Sequence, residues 1–141
     1  MVLKEAARVV RPRGSVVIFD GDFASLTFAH PDPALAEAMD EALVMALFAN
    51  PRVMQDLPRL LQQAGREITA TQAHVYAEIG TGSFFAGFAE AYAPLVHRAG
   101  LLTASQVEDW LLEQRRAVKQ HTFFAACNFY AYLTRRPTTA Q

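Results

Sequence analysis

The sequence has few of the residues that cross-link a small protein or bind a metal ion. Cys127 is the only cysteine, so no disulfide can form within the chain. The histidines are His30, His74, His97 and His121, and no two of them lie about three to five residues apart, as metal ligands on one helix would. These absences predict a protein without an internal disulfide and without a metal site.

Neither sign of charge dominates, and no apolar run is long. The chain carries 13 basic and 14 acidic residues, which gives no electrostatic reason to expect nucleic acid or an anionic membrane as a partner. The longest apolar run, residues 42–49, is far shorter than the ~20 residues that cross a bilayer. The first residues, which include Lys4, Glu5 and Arg8, lack the apolar core of a signal peptide. We therefore expect a cytoplasmic protein without a membrane partner.

What the chain has instead is apolar surface to bury. Apolar residues make up 52% of the chain and charged residues 19%, a balance that favours a folded core over disorder. A length of 141 residues suits one domain. The composition predicts a single domain over residues 1–137, followed by a short tail at 138–141.

Apolar periodicity predicts an α/β fold with three strands and about five helices. The predicted strands are 15–20, 67–79 and 122–133. The predicted helices are 2–10, 33–48, 51–64, 84–98 and 103–118. Asp32 predicts the N-terminal cap of the second helix, and Thr103 with Gln106 predicts a capping box for the last one. The apolar spacing of the last helix predicts one face formed by Val107, Trp110, Leu111 and Gln114. Pro58 falls inside the third helix and predicts a kink or two short helices there. Strand 122–133 is apolar on both faces, which predicts a central position in the sheet.

The opening segment resembles a known family. Arg8-Val9-Val10-Arg11-Pro12-Arg13-Gly14 leads from a helix into strand 15–20. It is similar to the Arg-x-Leu-x-Pro-Gly-Gly segment before the fifth strand of class I S-adenosylmethionine-dependent methyltransferases, of the small-molecule type related to ubiquinone and menaquinone biosynthesis. Val10 replaces the Leu and Arg13 the first Gly. Residues 57–65 resemble the helix before the family's sixth strand, and strand 122–133 resembles its last.

The resemblance implies a partial Rossmann-like, mixed sheet in which the last strand lies antiparallel between the other two. It places the family's cofactor-binding glycine loop and acidic residue upstream of Met1. We therefore expect an acceptor-side, C-terminal part of a methyltransferase that has no catalytic residues of its own. Such a chain would not bind S-adenosylmethionine or turn over alone.

The same resemblance leaves strand 15–20 at an open edge of the sheet. An apolar edge strand pairs readily with another strand. Two copies joined there by a two-fold axis would form a six-stranded sheet, so we expect a homodimer or a separate chain that carries the cofactor-binding half. The alternative function is that of a stand-alone dimeric module that binds a small apolar ligand or a protein.

Two segments are candidate sites. Asp20-Gly21-Asp22 follows the first predicted strand, and the resemblance implies that this rim faces the methyl acceptor, with Asp20, Asp22, Phe23 and His30 nearest to it. The other interpretation is a turn whose carboxylates accept hydrogen bonds from nearby amides.

The second segment is Gly80-Thr81-Gly82, which lies between a predicted strand and a predicted helix, as a nucleoside-cofactor loop does. Phe84 stands where such a loop has its third glycine, and no strand ending in an acid follows. A plain turn is the alternative. The nearby aromatic residues Phe84, Phe85, Phe88 and Tyr92 suit a core or a substrate pocket.

Overall fold

The computed structural model describes residues 2–11 and 14–137. Its described residues form an α/β fold with three strands and five helices, as the sequence predicts. The strands are β1 (Val16–Phe28), β2 (Glu67–Gly80) and β3 (Phe123–Arg135). The helices are α1 (Val2–Val9), α2 (Pro33–Leu47), α3 (Val53–Gln63), α4 (Phe84–Arg98) and α5 (Ala104–Gln120).

The strands form one sheet in the order β1-β3-β2. The last strand therefore lies between the other two, as predicted, and both neighbouring pairs are antiparallel. Thr134 bonds through its hydroxyl to the carbonyl of Val16, and the amide of Ala29 bonds to the carbonyl of Phe124. β1 and β2 are the edge strands among the described residues.

The first strand continues well beyond its predicted end. β1 extends to Phe28, so Asp20-Gly21-Asp22 lies inside a strand and does not form a turn. Carboxylates and glycine are rare within strands, which is why the sequence indicated a stop. The buried carboxylate of Asp22 is accommodated because Gln55 of α3 donates a 2.7 Å hydrogen bond to it.

Contacts divide the chain into two compact units. The first contains the described residues of Met1–Asp22, Arg52–His74 and Phe129–Gln141, and the second contains Phe23–Pro51 and Val75–Asn128. All three strands pass through both units. The single domain at 1–137 stays a prediction, and the predicted tail at 138–141 lies outside the described residues.

The core of the first unit is built on α3. Met54, Leu57 and Leu61 are buried one helical turn apart. Other apolar residues pack against them: Leu3, Ile18, Val53, Ile68, Tyr130 and Tyr132. Pro58 lies inside α3, which is one continuous helix. The predicted division into two short helices is therefore wrong, and the predicted kink stays a prediction.

The core of the second unit is aromatic. The Phe28 ring lies 5.1 Å from the ring of Trp110 and 6.0 Å from that of Phe85, both edge to face. α5 buries the predicted face, which consists of Val107, Trp110, Leu111 and Gln114. Its predicted capping box is also present, because Thr103 and Gln106 bond each other's backbone amides.

Helix α4 turns a different face inward from the one its aromatic residues indicate. Its buried residues are Phe85, Ala89, Ala93 and Val96, whereas Tyr92 is 41% exposed. Alanine at two of these positions lets α4 pack closely against α2 and α5. The aromatic residues of α4 therefore belong only partly to the core.

Each helix in the described part of the chain is too short or too polar to traverse a bilayer.

Candidate functional site

An apolar cavity of about 490 Å³ opens in the first unit, beside β1. Helix α3 supplies much of its wall, and α1 and β1 supply the rest. Its apolar lining includes Leu3, Ile18, Val53, Met54, Leu57 and Leu60, and its polar lining includes Asp20 and Gln63. The volume falls within the range of roughly 300–1,000 Å³ that is typical of small-molecule sites.

Asp20 is the predicted acceptor residue that lines this cavity. Its side chain is exposed, and one carboxylate oxygen accepts a 2.8 Å hydrogen bond from the amide of Gly21. No other described residue donates to that carboxylate, so its second oxygen can accept a bond from a ligand. Asp22 has a structural position instead, because it is 3% exposed and bonded to Gln55.

The other two predicted acceptor residues belong to the second unit. Phe23 stacks on Phe48, with ring centroids 4.0 Å apart. His30 accepts a 3.0 Å hydrogen bond through Nδ1 from the amide of Asp32, the residue that caps α2. The structure therefore explains both by local packing, and of the four predicted residues only Asp20 lines the cavity of the first unit.

The Gly80-Thr81-Gly82 segment has the geometry of a capped turn. The carboxylate of Glu78 accepts hydrogen bonds from the amides of Ser83, Phe84 and Phe85, at 2.8 to 3.0 Å. Amides at a helix N-terminus are the groups that bind a phosphate, and here a side chain of the protein occupies them. Burial raises the pKa of Glu78, but these bonds outweigh it and hold the pKa below its usual value.

The two glycines of this turn have separate structural reasons. Gly80 has a φ of 82°, in the left-handed region that favours glycine. A Cβ at Gly82 would lie 2.8 Å from the ring of Phe123. Turn geometry and packing thus account for both glycines without a ligand.

The outer edge of β1 is protected in the second unit. The amide of Ala24 donates to the carbonyl of Pro51 at 3.2 Å, and the amide of Phe28 donates to the Asp40 carboxylate at 3.1 Å. Burial raises the pKa of Asp40 to about 6. This contact could not be predicted from the sequence, because Asp40 occupies an ordinary helical position.

The same edge is open in the first unit. No described strand lies beside residues 16–20 on that side. Val17 is 66% exposed and Phe19 is 59% exposed, and the Phe19 ring stacks on Phe129 at 5.7 Å. The first unit therefore presents an apolar strand edge next to its apolar cavity.

Within residues 2–11 and 14–137, no three His, Cys, Asp or Glu side chains are grouped so that they could hold a metal ion. No protein-family model matches the chain, and no curated protein is significantly similar to it. The methyltransferase family therefore stays a prediction from the sequence.

Proposed function

We propose that this chain forms the acceptor side of a methyltransferase-like enzyme and that elements outside the chain bind S-adenosylmethionine. The strand order supports the proposal, since β3 lies antiparallel between β1 and β2 as the family resemblance implies. The turn at Gly80 and Gly82 supports it as well, because Glu78 accepts hydrogen bonds from the backbone amides that a cofactor bound at this turn would need. The chain alone then neither binds the cofactor nor turns over.

The observation that carries the proposal is the open edge of β1 at residues 16–20, beside the apolar cavity. An edge strand offers unpaired backbone groups to an added strand. In the proposed enzyme, a strand of the cofactor-binding part pairs here and covers the exposed side chains of Val17 and Phe19. Asp20 then hydrogen-bonds the acceptor, and catalysis is largely the positioning of that acceptor against the methyl group.

A second copy of the chain is the other partner that this edge suits. Two β1 edges paired across a two-fold axis form a continuous six-stranded sheet. The copy and the cofactor-binding part would compete for the same backbone groups. We place this assembly in the cytoplasm.

A stand-alone ligand-binding module is the second candidate function. It is favoured by the size of the cavity, about 490 Å³, and by its apolar wall. In this alternative the dimer is the working form, and a small apolar molecule occupies the cavity without being methylated.

Titration calorimetry with S-adenosylmethionine tests the first candidate. We expect no binding heat up to about 1 mM cofactor. Micromolar binding to the chain alone would contradict the proposal, because it would place a cofactor site within these residues.

Light scattering after size-exclusion chromatography tests whether two copies of the chain pair through the open edge of β1. We expect a dimer for the unmodified chain and a monomer for Val17→Lys, because a lysine on an edge strand disfavours strand addition. Val75→Lys is the matched control, since Val75 is 70% exposed on the other edge strand, and it should remain dimeric. A stable monomer of the unmodified chain would exclude the dimer.

Binding of the uncharged dye Nile red tests the cavity. We expect saturable binding that is weakened about tenfold by Leu60→Glu, which places a charge in the cavity wall. Leu112→Glu, at a residue that is 52% exposed on α5, is the control and should bind as the unmodified chain does. Equal binding by both variants would exclude the cavity as the dye site.

A further inference from the structure

Arg66 is a buried cation whose hydrogen bonds are incomplete. It lies just before β2 in the first unit and is 5% exposed. Its Nε donates to the hydroxyl of Thr134 at 3.2 Å, and its Nη2 donates to the carbonyl of Thr134 at 2.8 Å. Its Nη1 is buried and has no partner among the described residues.

No carboxylate of the described residues forms an ion pair with Arg66. Glu67 is next to it in the chain and lines the same cavity, but its side chain is exposed and forms no ion pair with Arg66. Buried arginines are almost always paired with an anion, because an uncompensated buried charge is strongly unfavourable. The charge of Arg66 therefore lacks its expected partner.

The end of α3 compensates this charge only in part. The amide of Arg66 donates to the carbonyl of Leu61 at 2.9 Å, so Arg66 takes part in the C-terminal cap of α3, three residues beyond the end of the helix at Gln63. A helix C-terminus carries about half a negative charge, which favours a nearby cation. That is less than the full charge of a guanidinium, and it leaves Nη1 without an acceptor.

The donors that remain have a defined geometry. Thr134 occupies the edge of the guanidinium formed by Nε and Nη2. A guanidinium has five N–H donors in a planar fork, so the edge formed by Nη1 and the second hydrogen of Nη2 is still available. Two parallel hydrogen bonds from such an edge match the two oxygens of a carboxylate or phosphate.

A cavity lies beside this side chain. Arg66 lines a space of about 550 Å³ in the first unit, together with Gln62, Gly65, Glu67 and Pro137. Because Nη1 is shielded from water, an entering ligand must displace part of the wall. The exposed side chain of Gln62 can move without a loss of core packing, and its amide can add a hydrogen bond.

We propose that Arg66 is the anchor of an oxyanion site, which binds a small molecule or group through a carboxylate or a phosphate. The site is independent of the proposed methyltransferase role, since it lies in another cavity and involves none of the residues assigned to the acceptor. Its ligand supplies the negative charge that the described residues do not.

The test is NMR of the arginine Nε–H groups in the full chain. Inorganic phosphate and sodium acetate are titrated separately, with sodium chloride keeping the ionic strength constant. We expect the Arg66 Nε–H resonance, assigned through the backbone of the unmodified protein, to shift saturably with at least one of them. A saturable shift with phosphate alone, with acetate alone or with both identifies which oxyanion the site accepts, and no saturable shift with either overturns the proposal.

Two variants provide a second readout. Arg66→Lys keeps the charge but removes the planar fork, so we expect oxyanion affinity at least tenfold weaker, measured by thermal shift at constant ionic strength. Arg116→Lys, at an exposed position of α5, should match the unmodified protein. Equal oxyanion-dependent shifts in all three proteins would also overturn the site, and the NMR titration decides the question if Arg66→Lys does not fold.

Discussion

The hydroxyl of Tyr132 donates a 2.8 Å hydrogen bond to the main-chain carbonyl of Met54. This is the carbonyl that would accept a bond from residue 58 in a regular helix, and Pro58 has no amide hydrogen to give. A strand side chain thus replaces the missing helical donor. This substitute hydrogen bond explains why α3 continues through a proline at its centre.

Tyr132→Phe should therefore lower the free energy of unfolding by about 1 kcal/mol, because it leaves the Met54 carbonyl without a donor. The measurement is urea unfolding. Tyr130→Phe is the control, since Tyr130 packs against the same core without a hydroxyl bond to Met54. It should lower the free energy of unfolding by less than Tyr132→Phe does. In a Pro58→Ala background the new amide can bond to Met54, so Tyr132→Phe should cost less there. If Tyr132→Phe lowers the free energy of unfolding equally in both backgrounds, the Tyr132 hydroxyl does not replace the amide that Pro58 lacks.

Glu78→Gln should destabilise the second unit by roughly 1–3 kcal/mol at pH 7, because the carboxylate accepts charge-assisted bonds from the start of α4. Urea unfolding measures this, with Glu67→Gln at an exposed position as the control. The pKa of Glu78 is lowered in the folded state, so its stabilisation is present above the unfolded pKa of about 4.3 and is lost as the pH falls below it. The difference in unfolding free energy between the variant and the unmodified chain should therefore become smaller at acid pH. A difference that is independent of pH would contradict this assignment.

Asp40 should give the opposite dependence on pH. Its pKa is raised to about 6 in the folded state, so the folded protein binds the proton more tightly than the unfolded chain. The free energy of unfolding therefore falls as pH rises from about 4 to 6 and is level above that. Because the carboxylate is only partly buried, solvent screening limits the effect to about 1–2 kcal/mol.

Asp40→Asn removes this titration and keeps an oxygen that can accept the Phe28 amide. The variant should be more stable than the unmodified chain at pH 7, and the two should converge near pH 4. Urea unfolding across this range checks it, with Asp109→Asn at an exposed position of α5 as the control. A variant that is less stable at every pH would show that the charged form of Asp40 is favourable.

Gly82→Ala and Gly87→Ala should change stability in opposite directions. A Cβ at Gly82 meets the Phe123 ring at 2.8 Å, so the substitution should cost about 1–3 kcal/mol through overpacking. A Cβ at Gly87 meets nothing within 4 Å, and Gly87 lies inside α4. Alanine there should add about 0.5–1 kcal/mol, because it restricts the unfolded chain and favours the helix. Thermal unfolding compares the pair, and a stabilising Gly82→Ala would contradict the packing at this turn.

The candidate site was predictable only where its signal lay in consecutive residues. Asp20 follows an apolar run, which predicts the carboxyl end of a strand, and ligands of open α/β sheets bind at such ends. Arg66 gives no such signal, since an arginine between a glycine and a glutamate is usually a surface charge. Its burial becomes visible only when Thr134, distant in sequence, lies against it.

The sequence by itself determined the order and type of the helices and strands, the caps at Asp32 and Thr103, and the buried face of α5, because periodicity and capping depend on residues a few positions apart. The tertiary structure decided where β1 ends, whether α3 breaks at Pro58 and which face α4 buries. The physical reason is that each of these depends on a partner remote in sequence. Gln55 accommodates Asp22 within a strand, and Tyr132 supplies the donor that Pro58 lacks.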